Sequence, residues 1–433
     1  MGEITRFFKK YFLKKYKRAM GKNENTKYLC LRTMDAYHSF NYQRKYAKKY
    51  EIDEKLIIFE SFMGRQYSCS PRMLYEELRD NPAYADYKKV WAFKKPGKFK
   101  YLTEDPNTEV VLYGGAKYCA ACAQAKVWVT NSRLKNHVKP KEGQYVIQTW
   151  HGTPLKRLGF DIDNYCGSKV AQKQLEYNYS TDVQKYSYML SPSDFYKEKI
   201  TSAFNLKKYG KENIFIDGEY PRNTFLNRLT EEQIKDIKRR LWIPEGKRII
   251  LYAPTWRETS HKPGKGYQYE LAVDFDKWRE VLGDDTVVLY RSHYFISNYI
   301  NLNKYAGFVK NVSTYNDINE LYAISDVLIT DYSSVFFDYA NLKRPMLFFM
   351  YDYEEYKNEL RGFYLSEDEL PGPIVKEEDE LLKILKDYNG EGYEEKYEAF
   401  NKKYNPYRDG NGAKVVWERV FKDHPASAET KTE

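Results

Sequence analysis

Short apolar runs recur along the first half of the chain, each about the length of one buried strand. Continuous hydrophobicity of this kind is typical of parallel strands that are covered on both faces. Stretches with helical spacing, such as 71–80 and 116–126, lie between them. Strand and helix in alternation predict a doubly wound parallel sheet. The runs occupy 56–59, 90–93, 110–113, 127–130, 145–149, 188–190 and 214–216.

A second set of apolar runs follows a charged helical stretch, for which Thr230 and Gln233 form a predicted capping box. With 433 residues the chain is too long for one compact core, so two domains of roughly 200 residues are expected. The division falls near 222–245, and the polar segment after Pro425 is predicted to be disordered. The second set of runs occupies 249–253, 287–290, 327–330 and 346–349.

Residues 3–18 have the spacing of an amphipathic helix. Seven Lys and Arg residues surround its apolar face, against a single acidic residue. Such a helix can lie in a membrane interface, with its rings in the lipid and its cations at anionic headgroups. A helix docked on its own domain is the alternative, but the concentrated positive charge favours a membrane surface. The apolar face consists of Ile4, Phe7, Phe8, Tyr11 and Phe12.

Cysteine content and hydropathy narrow the class of protein. Five cysteines, an odd number in a long chain, indicate reduced thiols and a cytoplasmic protein. Cys119 and Cys122 form one Cys-x-x-Cys, but a zinc site needs four ligands and the sequence has no second pair. No run of about 20 apolar residues could span a membrane, and the amino terminus has no apolar signal core.

A histidine at the end of one strand is the centre of the predicted chemistry. The run at 145–149 leads into His151, because Gly152 and Pro154 cannot continue a strand. His151 is therefore predicted at the carboxyl end of a buried strand. Open α/β sheets bind their ligands at this edge.

The residues that follow this histidine suit an anionic reactant. Thr153 offers a hydroxyl, and Lys156 and Arg157 bring two cations within a turn of the imidazole. The alternative is a histidine that only packs or accepts a structural hydrogen bond.

Polar residues also follow the strands of the second half. Ser333 and Ser334 begin a predicted helix, and its free N–H groups with two hydroxyls suit an anion. Ordinary helix caps are the alternative. Asp331 at the same corner would repel phosphate if it were exposed, so we expect it to orient a neighbouring group. Arg291 and His293 follow another strand of this half.

The two histidines could act on one substrate. His151 and His293 in a common cleft would provide an acid and a base for displacement at phosphorus. Four cations would offset the charge of a pyrophosphate, namely Lys156, Arg157, Arg257 and Arg291.

Several familiar motifs are missing from the sequence. It has no Gly-x-Gly-x-x-Gly, Walker A or His-Glu-x-x-His, so nicotinamide, P-loop and zincin chemistry have no support. Asp161 and Asp163 form an Asp-x-Asp pair, which a metal-dependent glycosyl transferase would use. No further ligand is evident beside that pair, and we expect neither a metal nor another cofactor.

Motifs in a fixed order resemble the CDP-glycerol glycerophosphotransferase family, the teichoic-acid polymerases and primases of Gram-positive bacteria. The resemblance covers roughly residues 56–415. Several motifs in one order are more specific than any motif alone. The matching segments are 61–68, 148–159, 252–257, 291–293, 316–322 and 326–338.

The resemblance implies an α/β fold similar to GT-B, with two Rossmann-like domains facing across a cleft. On that division residues 1–25 form the basic amphipathic helix, 26–225 the acceptor domain, 226–425 the donor domain and 426–433 a disordered tail. The implied reaction moves glycerol phosphate or ribitol phosphate from CDP-glycerol or CDP-ribitol to a hydroxyl of an acceptor linked to polyprenyl pyrophosphate. It releases CMP and requires no metal.

The resemblance also implies roles for individual residues. His151 matches the base that deprotonates the acceptor, with Gly152, Thr153, Lys156 and Arg157 on the acceptor or phosphate side. Other residues match positions on the donor side. Those that match pyrophosphate contacts are Arg257, His293, Ser333 and Ser334, with Arg291 beside them. Those that match nucleotide-side positions are Thr255, Asp317 and Glu320.

The implied location is the cytoplasmic face of the cell membrane, where residues 1–18 would hold a peripheral protein. The longest members of the family carry extra domains or repeats that this chain lacks, so we expect its control of product length to differ. The sequence leaves open whether the alditol is glycerol or ribitol and whether one unit or a chain is added. It also leaves open the acceptor and the oligomeric state.

Two other functions fit parts of the sequence. A nucleotide-sugar glycosyltransferase would share the architecture, and fold alone does not assign a substrate. A nucleic-acid binder would explain the pI of about 8.9. The basic excess is concentrated in a short aromatic helix, however, which favours lipid over nucleic acid.

Overall fold

A computed structural model of the chain shows two lobes, each built on one parallel sheet. It describes residues 23–163, 168–255, 271–292, 302–354 and 362–424, with the backbone of two short strands at 261–262 and 266–267. The predicted helix at 3–18, Arg257, His293 and the polar tail lie outside the described residues.

The first lobe contains a seven-stranded sheet in the order β3-β2-β1-β4-β5-β6-β7. Neighbouring strands are parallel, and their mostly buried side chains explain the continuous apolar runs of the sequence. The order reverses direction between β1 and β4, which places a crevice at the carboxyl ends of the strands. The strands are β1 (Asp53–Glu60), β2 (Lys88–Phe93), β3 (Thr108–Leu112), β4 (Ala125–Thr130), β5 (Tyr145–Gln148), β6 (Tyr188–Ser191) and β7 (Phe215–Asp217).

Helices cover this sheet and bury the apolar side chains of its strands. The helices of the first lobe are α1 (Glu24–Tyr42), α2 (Cys69–Asp80), α3 (Ala116–Gln124), α4 (Lys169–Val183) and α5 (Asp194–Ala203). Cys119 and Cys122 lie buried in α3, and burial raises the pKa of both thiols. Protonated, buried thiols are poor nucleophiles and poor metal ligands.

The second lobe contains a six-stranded parallel sheet in the order β12-β11-β8-β13-β14-β15. Strands β9 and β10, which lie between β8 and β11 in the sequence, form a separate antiparallel pair. Its strands are β8 (Arg248–Ala253), β9 (His261–Lys262), β10 (Gly266–Tyr267), β11 (Thr286–Tyr290), β12 (Val309–Asn311), β13 (Val327–Thr330), β14 (Met346–Phe349) and β15 (Ile374–Val375). The two-domain, doubly wound fold expected from the sequence is confirmed for the described residues.

The remaining helices join the lobes or cover the second sheet. The predicted capping box is present, since the Thr230 hydroxyl accepts from the Gln233 backbone while the Gln233 side chain accepts from the Thr230 backbone. These helices are α6 (Pro221–Asn227), α7 (Glu231–Arg240), α8 (Phe275–Leu282), α9 (Ile318–Ile324), α10 (Val335–Tyr339), α11 (Glu378–Asp387), α12 (Glu394–Tyr404) and α13 (Gly412–Asp423).

The last helix differs from the division drawn on the sequence, which placed 226–425 in one domain. Helix α13 packs on the first lobe, where Trp417 is fully buried and its indole N–H donates to the Leu74 carbonyl at 2.9 Å. The Trp417 ring also meets Phe59 of β1 edge-on, with centroids 6.4 Å apart. The apolar face of α13 is therefore buried in the core of the first lobe, so the chain crosses between the lobes twice.

None of the helices in the described part of the chain is long and apolar enough to cross a membrane.

Candidate functional site

His151 follows β5 through a short, strained turn. The Thr149 N–H still bonds the Thr130 carbonyl at 2.8 Å, and the Gln148 side chain then accepts from the Trp150 N–H at 2.9 Å. Trp150 adopts a left-handed backbone conformation with a φ of 50°. A bulky residue in this region costs on the order of 1–3 kcal/mol, and such strain often accompanies functional sites. The buried Trp150 ring, packed edge-on against Phe204 at 5.1 Å, holds the turn in place.

The hydrogen bond of His151 fixes its tautomer. Its Nδ1 lies 2.6 Å from the backbone carbonyl of Asn131, the residue that follows β4. A carbonyl oxygen only accepts, so Nδ1 donates and carries the proton of the neutral ring. The lone pair of the imidazole is therefore on Nε2.

The surroundings of His151 keep it neutral. His151 is an exposed residue, yet Trp150 and Phe62 lie close to its ring, with ring centroids 4.3 Å and 5.7 Å away. Desolvation lowers the pKa of His151 from 6.5 to about 4, the bond to Asn131 opposes this shift, and the charge of Arg222 adds to it. At pH 7 the ring is therefore a neutral base.

Both lobes meet at Gly152, beside this base. A Cβ atom at position 152 would lie 3.3 Å from the Ser334 hydroxyl oxygen and 3.5 Å from Nη2 of Arg222. Glycine allows this close approach between the lobes. The segments that carry His151 and Ser334 therefore approach each other in the structure.

Arg222 belongs to a buried group that joins the lobes, which we call the floor cluster: Arg222, Asn223, Asn319 and Asp338. Nη2 of Arg222 donates to both Asp338 oxygens at 2.7 Å, and the Asn223 amide donates to the same carboxylate at 3.0 Å. The Asn319 amide donates to the Arg222 carbonyl. Opposite charge holds Arg222 in its ionised form, because Asp338 raises the pKa of the guanidinium against the effect of burial.

Asp331 orients the chain that follows β8, as expected. It is buried, and its carboxylate accepts from the Thr255 N–H at 2.8 Å and from the Thr255 hydroxyl at 2.5 Å. Ser333 and Ser334 come next and are partly exposed, with Ser334 at the start of the short helix α10. The predicted donor residues Thr255, Ser333 and Ser334 therefore share one corner of the second lobe.

Arg291 has a structural set of contacts in the described residues. Its Nη1 donates to the carbonyls of Val312 and Tyr315, each at 3.0 Å. Burial lowers the pKa of this guanidinium. Its role toward a donor pyrophosphate stays a prediction.

The segment after His151 forms a second contact between the lobes. The backbone of Lys156 forms a β-bridge with Phe363 of the second lobe, and Arg157 pairs with Asp163 at 3.1 Å. Thr153 is buried. The phosphate roles of Thr153, Lys156 and Arg157 stay predictions.

The Asp-x-Asp pair has structural contacts. Asp161 accepts from the hydroxyl of Ser202 in its own lobe and from the hydroxyl of Tyr364, and the second bond joins the two lobes. Asp163 is the partner of Arg157. Within the described residues no group of three or more His, Cys, Asp or Glu side chains is arranged as a metal site.

A cavity of about 800 Å³ opens between the lobes and is lined by both of them. Four charged residues on its wall form what we call the rim cluster: Arg72, Glu76, Asp317 and Glu320. Arg72 of α2 bonds Glu76 in its own lobe at 2.9 Å, and Asp317 and Glu320 of the second lobe at 3.3 Å each. The predicted nucleotide-side residues Asp317 and Glu320 therefore line a cavity of ligand size.

The two second-lobe carboxylates differ in their environments. Burial raises the pKa of Asp317, and the charge of Arg72 opposes the shift. Burial also acts to raise the pKa of Glu320, but a hydrogen bond from Tyr315 and the charges of Arg72 and Arg240 bring it below its usual value. Glu320 is therefore the more firmly ionised of the two.

Sequence reasoning missed Asn131, Arg222, Asp338 and Arg72. Asn131 follows β4 directly, so the rule that selected His151 would also have selected it. Asp338 interrupts an apolar helical stripe, and a charge in such a stripe signals a buried partner. Arg222 and Arg72 have no comparable signal, because their partners are distant in sequence.

Two Rossmann-like lobes with a neutral histidine at the crevice between them define a protein of the GT-B-like class. Comparison with known proteins narrows this class. The family described as CDP-Glycerol:Poly(glycerophosphate) glycerophosphotransferase matches residues 41–422. The chain therefore belongs to this family, as its motifs suggested.

Relatives with solved structures or curated names share this assignment. The teichoic acid poly(glycerol phosphate) polymerase of Bacillus spizizenii is 39% identical over 85% of this chain and 92% of its own length. The Bacillus subtilis protein of that name is 40% identical over 87% of this chain but only 50% of its own length. A histidine-to-asparagine variant of the wall teichoic acid polymerase TagF, with CDPG, has a TM-score of 0.80 and 35% identity, covering 98% of each chain.

Proposed function

We propose that the chain transfers an alditol phosphate from a CDP-alditol to a hydroxyl of a lipid-linked acceptor and releases CMP. The observation that carries the proposal is the state of His151. Its Nδ1 proton is committed to a carbonyl, its pKa is low, and it is an exposed residue next to Gly152, where the lobes meet. Such a ring can take a proton through Nε2.

In the proposed reaction Nε2 of His151 accepts the proton of the acceptor hydroxyl. The acceptor oxygen then forms a bond to the phosphorus that carries the alditol. The bond from that phosphorus to the bridging oxygen breaks, and CMP leaves with the electron pair. The proton on His151 passes to solvent, so the base is restored for the next transfer.

The second lobe would hold the donor. At the corner of Thr255, Ser333 and Ser334, the Ser334 hydroxyl lies close to Gly152, and this supports a donor site beside the proposed base. Asp317 and Glu320 line the cavity between the lobes, whose size suits the nucleoside part of a CDP-alditol. Arg257 and His293 belong to this proposal through the family resemblance.

Glycerol phosphate is the donor group that we propose. The relatives at 39% and 40% identity are both named for poly(glycerol phosphate). Purified protein supplied with CDP-glycerol, CDP-ribitol and a nucleotide sugar should release nucleotide fastest with CDP-glycerol. Turnover only with the nucleotide sugar would support a glycosyltransferase.

His151→Ala tests the base. We expect CMP release to fall by roughly 10²–10⁴-fold, the usual contribution of a positioned general base. His151 is an exposed residue, so the variant should unfold within a few degrees of the parent. His38→Ala is a matched control, because His38 is also an exposed histidine and lies in helix α1. Normal turnover in a folded His151→Ala protein would remove His151 from the reaction.

A membrane surface is the proposed location. Helix α1 exposes Leu29, Tyr37 and Phe40, which are each more than half exposed and lie toward one side of the helix. Residues 1–18 would add the cationic face predicted from the sequence. Flotation with anionic vesicles should require residues 1–18, and vesicles of neutral lipid should bind less.

Independence of metal is part of the proposal. Turnover with CDP-glycerol should be unchanged by EDTA and unchanged by added Mg²⁺. A loss of CMP release with EDTA, recovered by a divalent cation, would contradict it.

A further inference from the structure

Asn131 is bonded on three sides at the foot of the candidate base. It is fully buried directly after β4. Its side-chain oxygen accepts from the Phe62 N–H at 2.7 Å, and its amide donates to the Ser61 hydroxyl at 3.1 Å. Its backbone carbonyl accepts the Nδ1 proton of His151 at 2.6 Å. One residue therefore links the loop after β1 to the base after β5.

The loop that Asn131 holds is strained. Phe62 and Met63 both have left-handed backbones, with φ of 47° and 55°. Gly64 follows at 75°, where a Cβ would lie 2.8 Å from Cβ of Tyr113. Non-glycine residues in this region persist only where neighbouring bonds hold them. The Asn131 side chain supplies one of those bonds.

The same loop supplies one wall of the base. The Phe62 ring lies 5.7 Å from the His151 ring. A shift of Phe62 would therefore alter the surroundings of His151. It would also release the side chain of Asn131, whose carbonyl sets the tautomer of the imidazole.

We propose that Asn131 is a positioning residue for His151, which holds the imidazole as the Nδ1–H tautomer by locking its own carbonyl to the loop 61–64. This inference rests on the proposed role of His151 as the base. Asn131 acts only through His151 and contacts no substrate.

Ser132 offers a matched comparison. Its hydroxyl accepts from the Met63 N–H at 3.1 Å, so it fixes the same loop one residue further along. It is also buried. Its backbone carbonyl bonds Thr130 and Gln148, not His151. If loosening the loop is what matters, variants of Asn131 and Ser132 should both lose activity. If the Asn131 carbonyl is what matters, only the Asn131 variants should lose it.

The experiment compares Asn131→Ala, Asn131→Asp, Ser132→Ala and His151→Ala in the full chain. Each is tested for thermal unfolding, for kcat and KM with CDP-glycerol, and for the acid limb of kcat/KM against pH. Arg222 is the charged group that lowers the pKa of His151, and it is kept unchanged in all four variants.

Asn131→Ala should lower kcat roughly tenfold, a fraction of the usual contribution of a general base, with KM changed less than twofold. Its acid limb should move to higher pH, because water replaces part of the desolvating wall. Asn131→Asp keeps the bond to Phe62 but adds a negative charge, so its acid limb should also move up with a smaller loss of kcat. Ser132→Ala should stay within about twofold in kcat, without a shift of the acid limb.

The proposal is overturned if folded Asn131→Ala keeps its kcat and its acid limb. It is also overturned if Ser132→Ala reproduces both changes. A failure of the function itself appears differently, since His151→Ala would then retain CMP release. If Asn131→Ala does not fold, Asn131→Asp alone decides, because an unmoved acid limb in that variant contradicts the proposal.

Discussion

Two ionic clusters join the lobes, and they differ most in their access to water. In the floor cluster the side chains of Arg222 and Asp338 are 7% and 8% exposed. In the rim cluster Arg72 is 25% exposed, and it shares its charge among three carboxylates. The floor adjoins Gly152 and the base, and the rim lines the cavity.

Because of this difference in exposure, we expect the floor cluster and the rim cluster to have different roles. A buried ion must keep its partner, because an uncompensated charge in the interior costs several kcal/mol. A partly solvated ion can exchange partners with water at little cost. The floor therefore fixes the lobes beside the proposed base, and the rim is the part of the interface that a ligand can rearrange.

Breaking the floor should have the largest effect. Arg222→Met leaves Asp338 buried without its charged partner, so we expect the free energy of unfolding to fall by about 3–5 kcal/mol. Chemical denaturation measures the loss. The double variant Arg222→Met with Asp338→Leu should recover more than half of it, since no buried charge remains. If Arg222→Met loses less than about 1 kcal/mol of unfolding free energy, the floor cluster does not stabilise the contact between the lobes.

Crowding the meeting point should affect activity more than stability. Gly152→Ala brings a methyl group to 3.3 Å from the Ser334 hydroxyl, closer than a comfortable contact. We expect roughly a tenfold loss of kcat/KM for CDP-glycerol from a small misplacement of the reacting groups. Gly246→Ala is the control, because Gly246 also has a positive φ, of 77°, but a methyl there meets no atom within 4 Å. Equal kinetics for the two variants would mean that the lobes do not need this close approach.

Breaking the rim should have a moderate effect. Arg72→Met removes the only guanidinium that bonds Glu76, Asp317 and Glu320 together in the described contacts, and we expect a loss of about 1 kcal/mol in stability. KM for CDP-glycerol should rise several-fold, since Asp317 on the cavity wall loses its cation, whereas Glu320 keeps its bond to Arg240. Arg79→Met is the matched control, as Arg79 also lines the cavity but bonds Asp80 in its own helix. If both variants raise KM equally, the rim has no special part in binding.

The smallest effect concerns pH. The folded pKa of His151 is about 4, below the 6.5 of an unperturbed histidine. Between these values the unfolded chain binds a proton that the folded protein does not, so stability falls as pH is lowered from 6.5 toward 4. Because His151 is an exposed residue, the fall in stability should be small. Glu320 stays charged through most of this window, since its pKa lies below 4.5.

His151→Gln removes this contribution and should flatten the dependence. Chemical denaturation of both proteins at pH 7 and pH 5 measures the difference. An identical pH dependence in the two proteins would show that His151 is not desolvated in the folded state.

Much of the fold could be predicted because its strands are buried on both faces. The runs at 145–149 and 327–330 appear as strands β5 and β13, and the polar residues that follow them lie at the carboxyl edge of each sheet, as expected. Strands β12 and β15 were not predicted, since three and two residues are too few for a pattern. Helix α13 was assigned to the wrong lobe, because an amphipathic pattern indicates that one face is buried but does not indicate which lobe covers that face.

The candidate site was predicted in part. His151, Ser334 and Asp331 follow strands, and the rule for strand ends selected each of them as a candidate. The contacts of Arg222 with Asp338 and of Arg72 with Asp317 join residues more than a hundred positions apart. No local pattern reports a pair of that separation.

The sequence by itself determined two parallel sheets, the edge of each that carries polar residues, and membership of a family through motifs in order. Local periodicity and strand ends are properties of neighbouring residues, which is why they could be seen there. The tertiary structure alone decided which ring nitrogen of His151 carries the proton, which cation acts on that ring, and where the last helix packs. These depend on burial and on distances between remote segments, because the pKa of a ring and the cost of a charge are set by what surrounds them.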